Sequence, residues 1–379
     1  MAIRIGIDYT SALRERAGIG RFTRELVAAL RELDRTNSYV LIHTRDCVLP
    51  SNGVWPDNFS FKRLPVSYRA ASILWHRLSI PLPVDWATGP VEVFHAPDFL
   101  LPPIRRGKGI LTVHDLSFLV HPECAEPSLA RYLSRAVPRS LERADVVLAD
   151  SESTKRDLTS LLGTPEEKVR VVYGGVNPSF RRVTDKAALD DVRRRYDIIE
   201  GPFIFGLGTT EPRKNLGRLI SAYALLVRES TPDAKLLLAG GKGWLYQDLF
   251  DQIEKLKLTQ DVRFLGYIPD ADLPALLTLA DVFAFPSLYE GFGLPPLEAM
   301  ACGTPVVASD TSSLPEVLGE AAVTVSPTDD VALAQAIDRV LTDHELRKKM
   351  VEAGLAQARK FTWKASAERL LAIYTEVAS

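Results

Sequence analysis

Glu290 and Glu298 flank the run Gly291-Phe-Gly-Leu-Pro-Pro-Leu297. Pro295 and Pro296 suit the first turn of a helix, where a missing N–H costs nothing. Glu298 is then expected on that helix, and Glu290 on a cleft loop after the run DVFAFPS (281–287). The amides of Phe292, Gly293 and Leu294 would face an anion at the positive end of the helix. Carboxylates accept hydrogen bonds from vicinal hydroxyls, so one acid could hold a sugar and the other a ribose. The plainer alternative is a capped helix with a solvent-facing glutamate. A second run, Gly206-Leu-Gly-Thr209-Thr-Glu-Pro-Arg213-Lys214-Asn215, joins small residues, which let backbone approach a ligand, to two fixed cations. Arg binds two oxygens of a diphosphate at once and Lys acts as a point charge. The alternative there is a solvated basic turn.

Two histidines close apolar runs: His95 in VEVFHA (91–96) and His114 in GILTVHD (109–115). A histidine at such a strand tip is a general base, a hydrogen-bond donor or a packed polar residue. Gly18-Ile-Gly20-Arg21 follows the first apolar run and opens a helical pattern, so it could receive a phosphate or an acceptor. Thr23 stands where a dinucleotide fingerprint needs its third glycine, and no acid closes a second strand, so NAD is a poor fit. Asp270-Ala-Asp272 has the D-x-D form of a metal site. It precedes LPALLTLA (273–280), however, and reads as a helix cap.

These residues need elements to position them. The chain has 379 residues, of which 46% are hydrophobic and 25% charged, enough for two folded domains. That excludes a disordered tail, a fibre and a polytopic membrane protein. No apolar run reaches the roughly 18 residues of a spanning helix, and the start, MAIRIGIDYT, reads as a strand without a leader. Cys47, Cys124 and Cys302 are far apart, which suggests neither disulfides nor zinc and points to a reducing cytoplasm. Residues 1–200 carry a net +4 and the remainder −6, too little for nucleic acid.

Strands are expected at 3–8, 39–44, 91–96, 109–115, 144–150 and 168–174, then at 202–208, 234–240, 262–267, 281–287, 305–310 and 321–326. Such apolar runs fit parallel sheets buried on both faces. Helical patterns alternate with them at 21–33, 153–162 and 215–230, and 361–377 closes the chain as an amphipathic helix. This implies an α/β protein of two doubly wound, Rossmann-like domains facing across a cleft. The first is expected over 1–178, with helix 362–379 crossing back to it, and the second over 185–361.

Together GIGRF, VFHAP, TVHD, ADVVLADSESTKRDL, KVRVVYGGV, GTTEPRKN, LLLAG, VRFLGYI and EGFGLPPLEAMACGTPVVASD resemble the family-4 retaining glycosyltransferases of GT-B fold. The GTTEPRKN form looks most like mannosyltransferases of bacterial O-antigen and surface polysaccharides. The resemblance implies that Glu290 contacts the donor sugar and Glu298 the ribose. It gives Arg213 and Lys214 the diphosphate, with Thr209 and the amides of Phe292, Gly293 and Leu294 beside the donor. It places His114 near the reacting carbon, Gly18 and Gly20 in a loop closing over the donor, and Tyr267 near the base. Gly208 departs from relatives that carry a further arginine in a Gly-Arg pair six residues before the lysine. The resemblance further implies hexosyl transfer, most simply mannosyl from GDP-mannose, to a glycan or lipid-linked acceptor without cofactor or essential metal. The motifs leave open a UDP-sugar donor, a non-catalytic sugar-nucleotide binder, and a phosphorylase or epimerase on the same scaffold.

Residues 61–108 hold Lys62, Arg63, Arg69, Arg77, Arg105, Arg106 and Lys108 against Asp85, Glu92 and Asp98. Within them SYRAASILWHRLSIPL interleaves Arg69, His76 and Arg77 with Ile73, Leu74, Trp75, Leu78 and Ile80. Such a segment could dock on the anionic inner face of a membrane. The alternative buries Trp75 and the leucines in the core.

Overall fold

A computed structural model describes residues 2–15, 18–49, 54–78, 80–198, 200–229, 233–241, 243 and 246–379. The chain divides into two compact units, residues 1–175 with 362–379, and residues 176–361. The changeover at Gly175 lies three residues before 178, the expected end of the first domain, and the return at Thr362 coincides with the expected helix 362–379.

The first unit is built on seven parallel strands: β1 (Arg4–Asp8), β2 (Ser38–His43), β3 (Phe59–Arg63), β4 (Val93–Ala96), β5 (Lys108–Val113), β6 (Val146–Ala149) and β7 (Val169–Val171). Their order is β3-β2-β1-β4-β5-β6-β7. Every residue of β4 and of β6 is buried, as strands covered on both faces require. Ile5 of β1 pairs with Tyr39 on one side and Val93 on the other. The order of strands therefore reverses between β1 and β4, where open α/β sheets bind ligands at the strands' carboxyl ends.

The second unit has six strands, all parallel: β8 (Phe203–Leu207), β9 (Lys235–Ala239), β10 (Val262–Gly266), β11 (Val282–Phe285), β12 (Val306–Ser309) and β13 (Val323–Val325). Their order is β10-β9-β8-β11-β12-β13, so its reversal falls between β8 and β11. Ile204 pairs with Leu236 and Val282 across that centre.

Two sequence expectations change, and one choice between alternatives is decided. Strand β3 was not anticipated: it is an edge strand, exposed at Ser60, Lys62 and Arg63, and lacks an apolar run. For the segment around Trp75 the buried alternative holds, although Leu78 stays exposed. Ser67 Oγ accepts from the Ala70 amide (3.3 Å) to start the helix Tyr68–Ser72, which widens into a π-turn over Ile73–Arg77. The turn leaves Trp75 in the core, 5% exposed, with its indole N–H donating to Leu82 O at 2.8 Å. Ser79 and the His76 side chain lie outside the described residues. Asp272 stands at the start of the helix Leu273–Leu279 but does not cap it. Its carboxylate instead accepts from Arg195 (2.6 Å) and from the Tyr196 hydroxyl (2.6 Å).

The helix Trp363–Ala378 belongs to the first unit. Ser366 Oγ donates to Tyr173 O (2.6 Å), Trp363 packs edge-on to Phe22, and Tyr374 is fully buried.

Candidate active site

In the second unit, the turn after β8 and the loop after β11 meet. Pro212–Lys214 forms one 3-10 turn ended by Asn215 in the left-handed region at φ 55°. The Asn215 amide donates to Pro286 O (2.9 Å) and Pro327 O (2.8 Å), and the Leu288 N–H donates to Arg213 O (2.8 Å). These bonds bring Arg213 and Lys214 onto Glu290. Arg213 donates to Glu290 Oε2 (2.9 Å), Tyr289 O (2.9 Å) and Glu211 Oε1 (3.0 Å), and Lys214 to Glu290 Oε1 (2.6 Å).

Glu290 lies on the loop after β11 and is 8% exposed. Burial alone would raise its pKa, but the Arg213 and Lys214 charges outweigh burial and hold it near 2. Burial pulls the Lys214 pKa down from its ordinary value, against the opposing charge of Glu290. The cluster is thus an ionised carboxylate whose two oxygens are each taken by a cation. Its charges are partly neutralised before any ligand arrives, and an incoming diphosphate would share both cations with Glu290.

Gly293 opens the helix Leu294–Ala301 at φ 106°, and a Cβ there would meet Leu314 Cδ2 at 2.8 Å. The loop from Glu290 to Gly293 is held by two serines that sequence reasoning missed. Ser312 Oγ accepts from the Glu290 N–H (2.9 Å), and Ser313 Oγ sits 2.9 Å from Glu290 O and 2.8 Å from Phe292 O. Their signal was present as Ser-Ser directly before the helix Leu314–Leu318, where Ser313 makes no side-chain cap bond. Phe292 is buried, edge-on to Phe361. Glu298 lies on the expected helix, 1% exposed, beside Cys302, whose pKa burial and the Glu298 charge push up to about 12.

Gly240, also missed, is the tightest point. Its φ is 143°, and a Cβ would come within 1.9 Å of Gly208 O. Gly208 in turn faces the Lys214 stem, where a Cβ would sit 3.0 Å from Cγ. Thr209 follows on the surface, while Thr210 Oγ1 accepts from the Gly243 N–H (2.5 Å). Tyr267, just after β10, is 51% exposed.

The remaining candidates lie in the first unit. His114 follows β5, and both ring nitrogens are occupied: Nδ1 by Asp150 Oδ2 (2.7 Å), Nε2 by Pro97 O (2.8 Å). Burial would lower its pKa, but the Asp150 charge and hydrogen bond, with the Pro97 carbonyl, hold it at about 9. An imidazolium donating from both nitrogens has no lone pair for a proton. Of the roles read from sequence, donor fits and general base does not. His95 is the opposite: burial pushes its pKa down to about 3, and it lies between Tyr374 OH (2.7 Å) and Thr112 Oγ1 (2.8 Å) as a packed polar residue. Gly18 and Gly20 open the helix Gly18–Leu33; a Cβ on Gly20 would meet Glu15 O at 2.4 Å.

Residues 16–180 match the family model described as Glycosyltransferase Family 4, and residues 191–357 the model described as Glycosyl transferases group 1. The chain is 33% identical over 354 residues to the O-antigen chain mannosyltransferase B of Escherichia coli, covering 91% of this chain and 92% of that one. It is 31% identical over 281 residues to the serotype-specific mannosyltransferase WbdA of Escherichia coli, covering 71% of this chain but 34% of WbdA. Sucrose-phosphate synthase from Thermosynechococcus elongatus shares its fold with a TM-score of 0.78 at 21% identity, over 99% of this chain and 98% of that one. Anabaena HepE, solved with UDP and glucose, does so with a TM-score of 0.73 at 17% identity, over 99% and 100%. Matched in both of its units and along nearly its whole length, the chain belongs to glycosyltransferase family 4 and is a hexosyltransferase of GT-B fold.

Proposed function

We propose that this enzyme transfers mannose from GDP-mannose, with retention, to a hydroxyl of a glycan or lipid-linked glycan. The observation that carries the chemistry is Glu290 clamped between Arg213 and Lys214 at the β8–β11 reversal. The choice of mannose is supported by the E. coli mannosyltransferase that resembles the chain over 91% of its length. In this reading the C1–O bond to the diphosphate breaks and a bond from C1 to the acceptor oxygen forms on the same face. The acceptor proton passes to the departing phosphate oxygen. Arg213, Lys214 and the Gly293 and Leu294 amides stabilise the charge that gathers on the diphosphate. Preorganised donors of this kind are worth about 100- to 1,000-fold in rate each. Glu290 orients the sugar hydroxyls, Glu298 the ribose, and Thr209 and Tyr267 border the nucleotide.

No metal takes part in this scheme. Among the described residues His121, Glu123 and Cys124 bring ligand-type atoms within 4.8 Å of one another, but His121 Nδ1 already bonds Glu123 at 2.9 Å. Offering purified protein GDP-mannose, UDP-glucose and UDP-N-acetylglucosamine, and following donor hydrolysis, tests the reading. Turnover of a UDP-sugar in preference to GDP-mannose rejects it, and phosphorolysis with inorganic phosphate would indicate a phosphorylase.

The reading includes a membrane-bound acceptor, approached through the first unit. With Trp75 in the core, Leu78, Ile80, Leu82 and Trp86 (46% exposed) are among the exposed apolar residues, near Arg77, Arg105 and Arg106 in the sequence. No helix among the described residues is long and apolar enough to cross a membrane. Co-sedimentation with anionic liposomes should fall with salt and in Trp86→Ser. Equal sedimentation with neutral vesicles removes the docking surface.

A further inference from the structure

Two uncharged residues place Lys214. Its Nζ donates to Glu290 Oε1 (2.6 Å) and lies 5.2 Å from the centroid of the Phe285 ring, at the end of β11. An ammonium within about 6 Å of a ring is drawn to it, most strongly where water is kept out. Phe285 is buried, and the Lys214 side chain is 13% exposed.

The stem of Lys214 lies against the bare backbone of Gly208, the residue after β8. A Cβ on Gly208 would come to 3.0 Å from Lys214 Cγ, 3.2 Å from Cδ and 3.5 Å from Cβ. One side would have to yield by a few tenths of an ångström. The backbone of Gly208 has no room to do so. Its N–H donates to Ala239 O (2.9 Å), and its carbonyl oxygen is so close to Gly240 that a Cβ there would lie 1.9 Å from it. Nor does the backbone conformation of Gly208 demand glycine, because its φ is not in the left-handed region. What excludes a side chain here is the lysine.

The main chain of Lys214 is also tied. Its N–H donates to Glu211 O (3.1 Å), and the next residue, Asn215, is bonded to Pro286 O and Pro327 O. Any displacement therefore falls on the Lys214 side chain, which would be drawn off Glu290 and Phe285. At the position where relatives carry a further arginine, this chain keeps the room for the stem of its lysine.

We propose that Gly208 and Phe285 are positioning residues for transfer, which fix Lys214 Nζ beside Glu290, where the leaving diphosphate gathers charge. The assignment rests on the reading of Lys214 as a cation of that diphosphate. It has a counter-intuitive consequence: an arginine at position 208 would add charge to the site and still slow the enzyme.

Initial rates on the full chain test this, at saturating concentrations of the preferred donor among GDP-mannose, UDP-glucose and UDP-N-acetylglucosamine. Gly208→Ala should lower kcat by about tenfold with little change in donor KM, because misplacing a charge-stabilising group is felt in the transition state. Gly208→Arg should lower kcat by about 100-fold, towards the rate of Lys214→Ala. In the Lys214→Ala background, Gly208→Ala should cost nothing further, since the side chain it acts through is gone. Phe285→Leu should move the alkaline limb of kcat down by about half a unit to one unit, because no ring then favours the ammonium. The charges that face Lys214, those of Glu290, Arg213 and Glu211, are unaltered in that variant. Wild-type kcat in Gly208→Ala, a gain in Gly208→Arg, or a further loss in the double variant overturns the role of Gly208. An unmoved limb in Phe285→Leu overturns that of Phe285. Undiminished turnover in Lys214→Ala instead rejects the reading of Lys214 as the diphosphate cation, whatever the Gly208 variants do.

Discussion

The two sheets reverse at equivalent places but furnish their reversals with opposite chemistry. At β8–β11 an ionised carboxylate is gripped by Arg213 and Lys214, and Glu211 holds the far side of Arg213. At β1–β4 there are carboxyls and hydroxyls, and no cation among the described lining residues. The same backbone topology thus carries a cation-bearing crevice at one reversal and one lined by carboxyls and hydroxyls at the other. The difference comes from residues just past the strand ends, the segment least constrained by the sheet. It also explains why the two acids behave oppositely: Glu290 is pushed down to about 2 by its cations, Asp98 up to about 7 by burial.

The comparison breaks most sharply if the cation cluster is dispensable. Lys214→Ala should lower kcat by about 100- to 1,000-fold, measured as initial rate at saturating donor. Glu290→Gln should do likewise. Glutamine is the better probe, because Glu290→Ala would strand two largely buried cations, and removing one partner of a buried pair costs about 3–5 kcal/mol. Wild-type turnover in both variants would leave the β8–β11 cluster a purely structural feature. Glu298→Gln should act mainly on the donor KM; an unchanged KM removes Glu298 from the donor.

Next in size is the pair behind the other crevice. The folded pKa of His114, about 9, lies above its ordinary 6.5. Its pairing with Asp150 therefore stabilises fully below about pH 6.5 and is lost as pH rises through about 9. Urea midpoints measured across that window should fall in the wild type and stay flatter in His114→Asn. The variant itself should lose about 3–5 kcal/mol at neutral pH, because Asp150 is left buried without its partner. A flat wild-type profile means that His114 is neutral and restores its candidacy as a base.

The smallest effects belong outside both crevices. Asp272→Asn breaks the ties to Arg195 and Tyr196 and should lower Tm by a few degrees with activity kept. EDTA should leave the rate unchanged. Loss of activity in EDTA, restored by Mn²⁺, would mean that a metal serves the donor after all.

Legibility in the sequence tracked burial. The central strands announced themselves because both of their faces are covered, so that β6 is apolar throughout and β4 is apolar but for His95. The edge strand β3 stayed silent because three of its five residues face solvent. Glu290, Arg213 and Lys214 could be picked out by type and spacing, and they meet in space. What could not be read was how they meet. Ser312 and Ser313 hold the glutamate loop from more than twenty residues away, and Gly240 matters only because Gly208 O lies against it. The β1–β4 crevice was invisible for the same reason. Asp8, Thr10, Ser72 and Asp98, which line it, form no motif, and each alone is an ordinary polar residue.

The returning helix Trp363–Ala378 also orders events in time. Residues 176–361 are contiguous once they leave the ribosome, whereas the unit that holds residues 1–175 lacks Tyr374 against His95 and Trp363 against Phe22 until residues 362–379 follow. The domain synthesised first is therefore finished last. Until then it presents the apolar side of Gly18–Leu33 without its cover, and a nascent chain arrested near Phe361 would be a substrate for chaperones and proteases rather than half an enzyme.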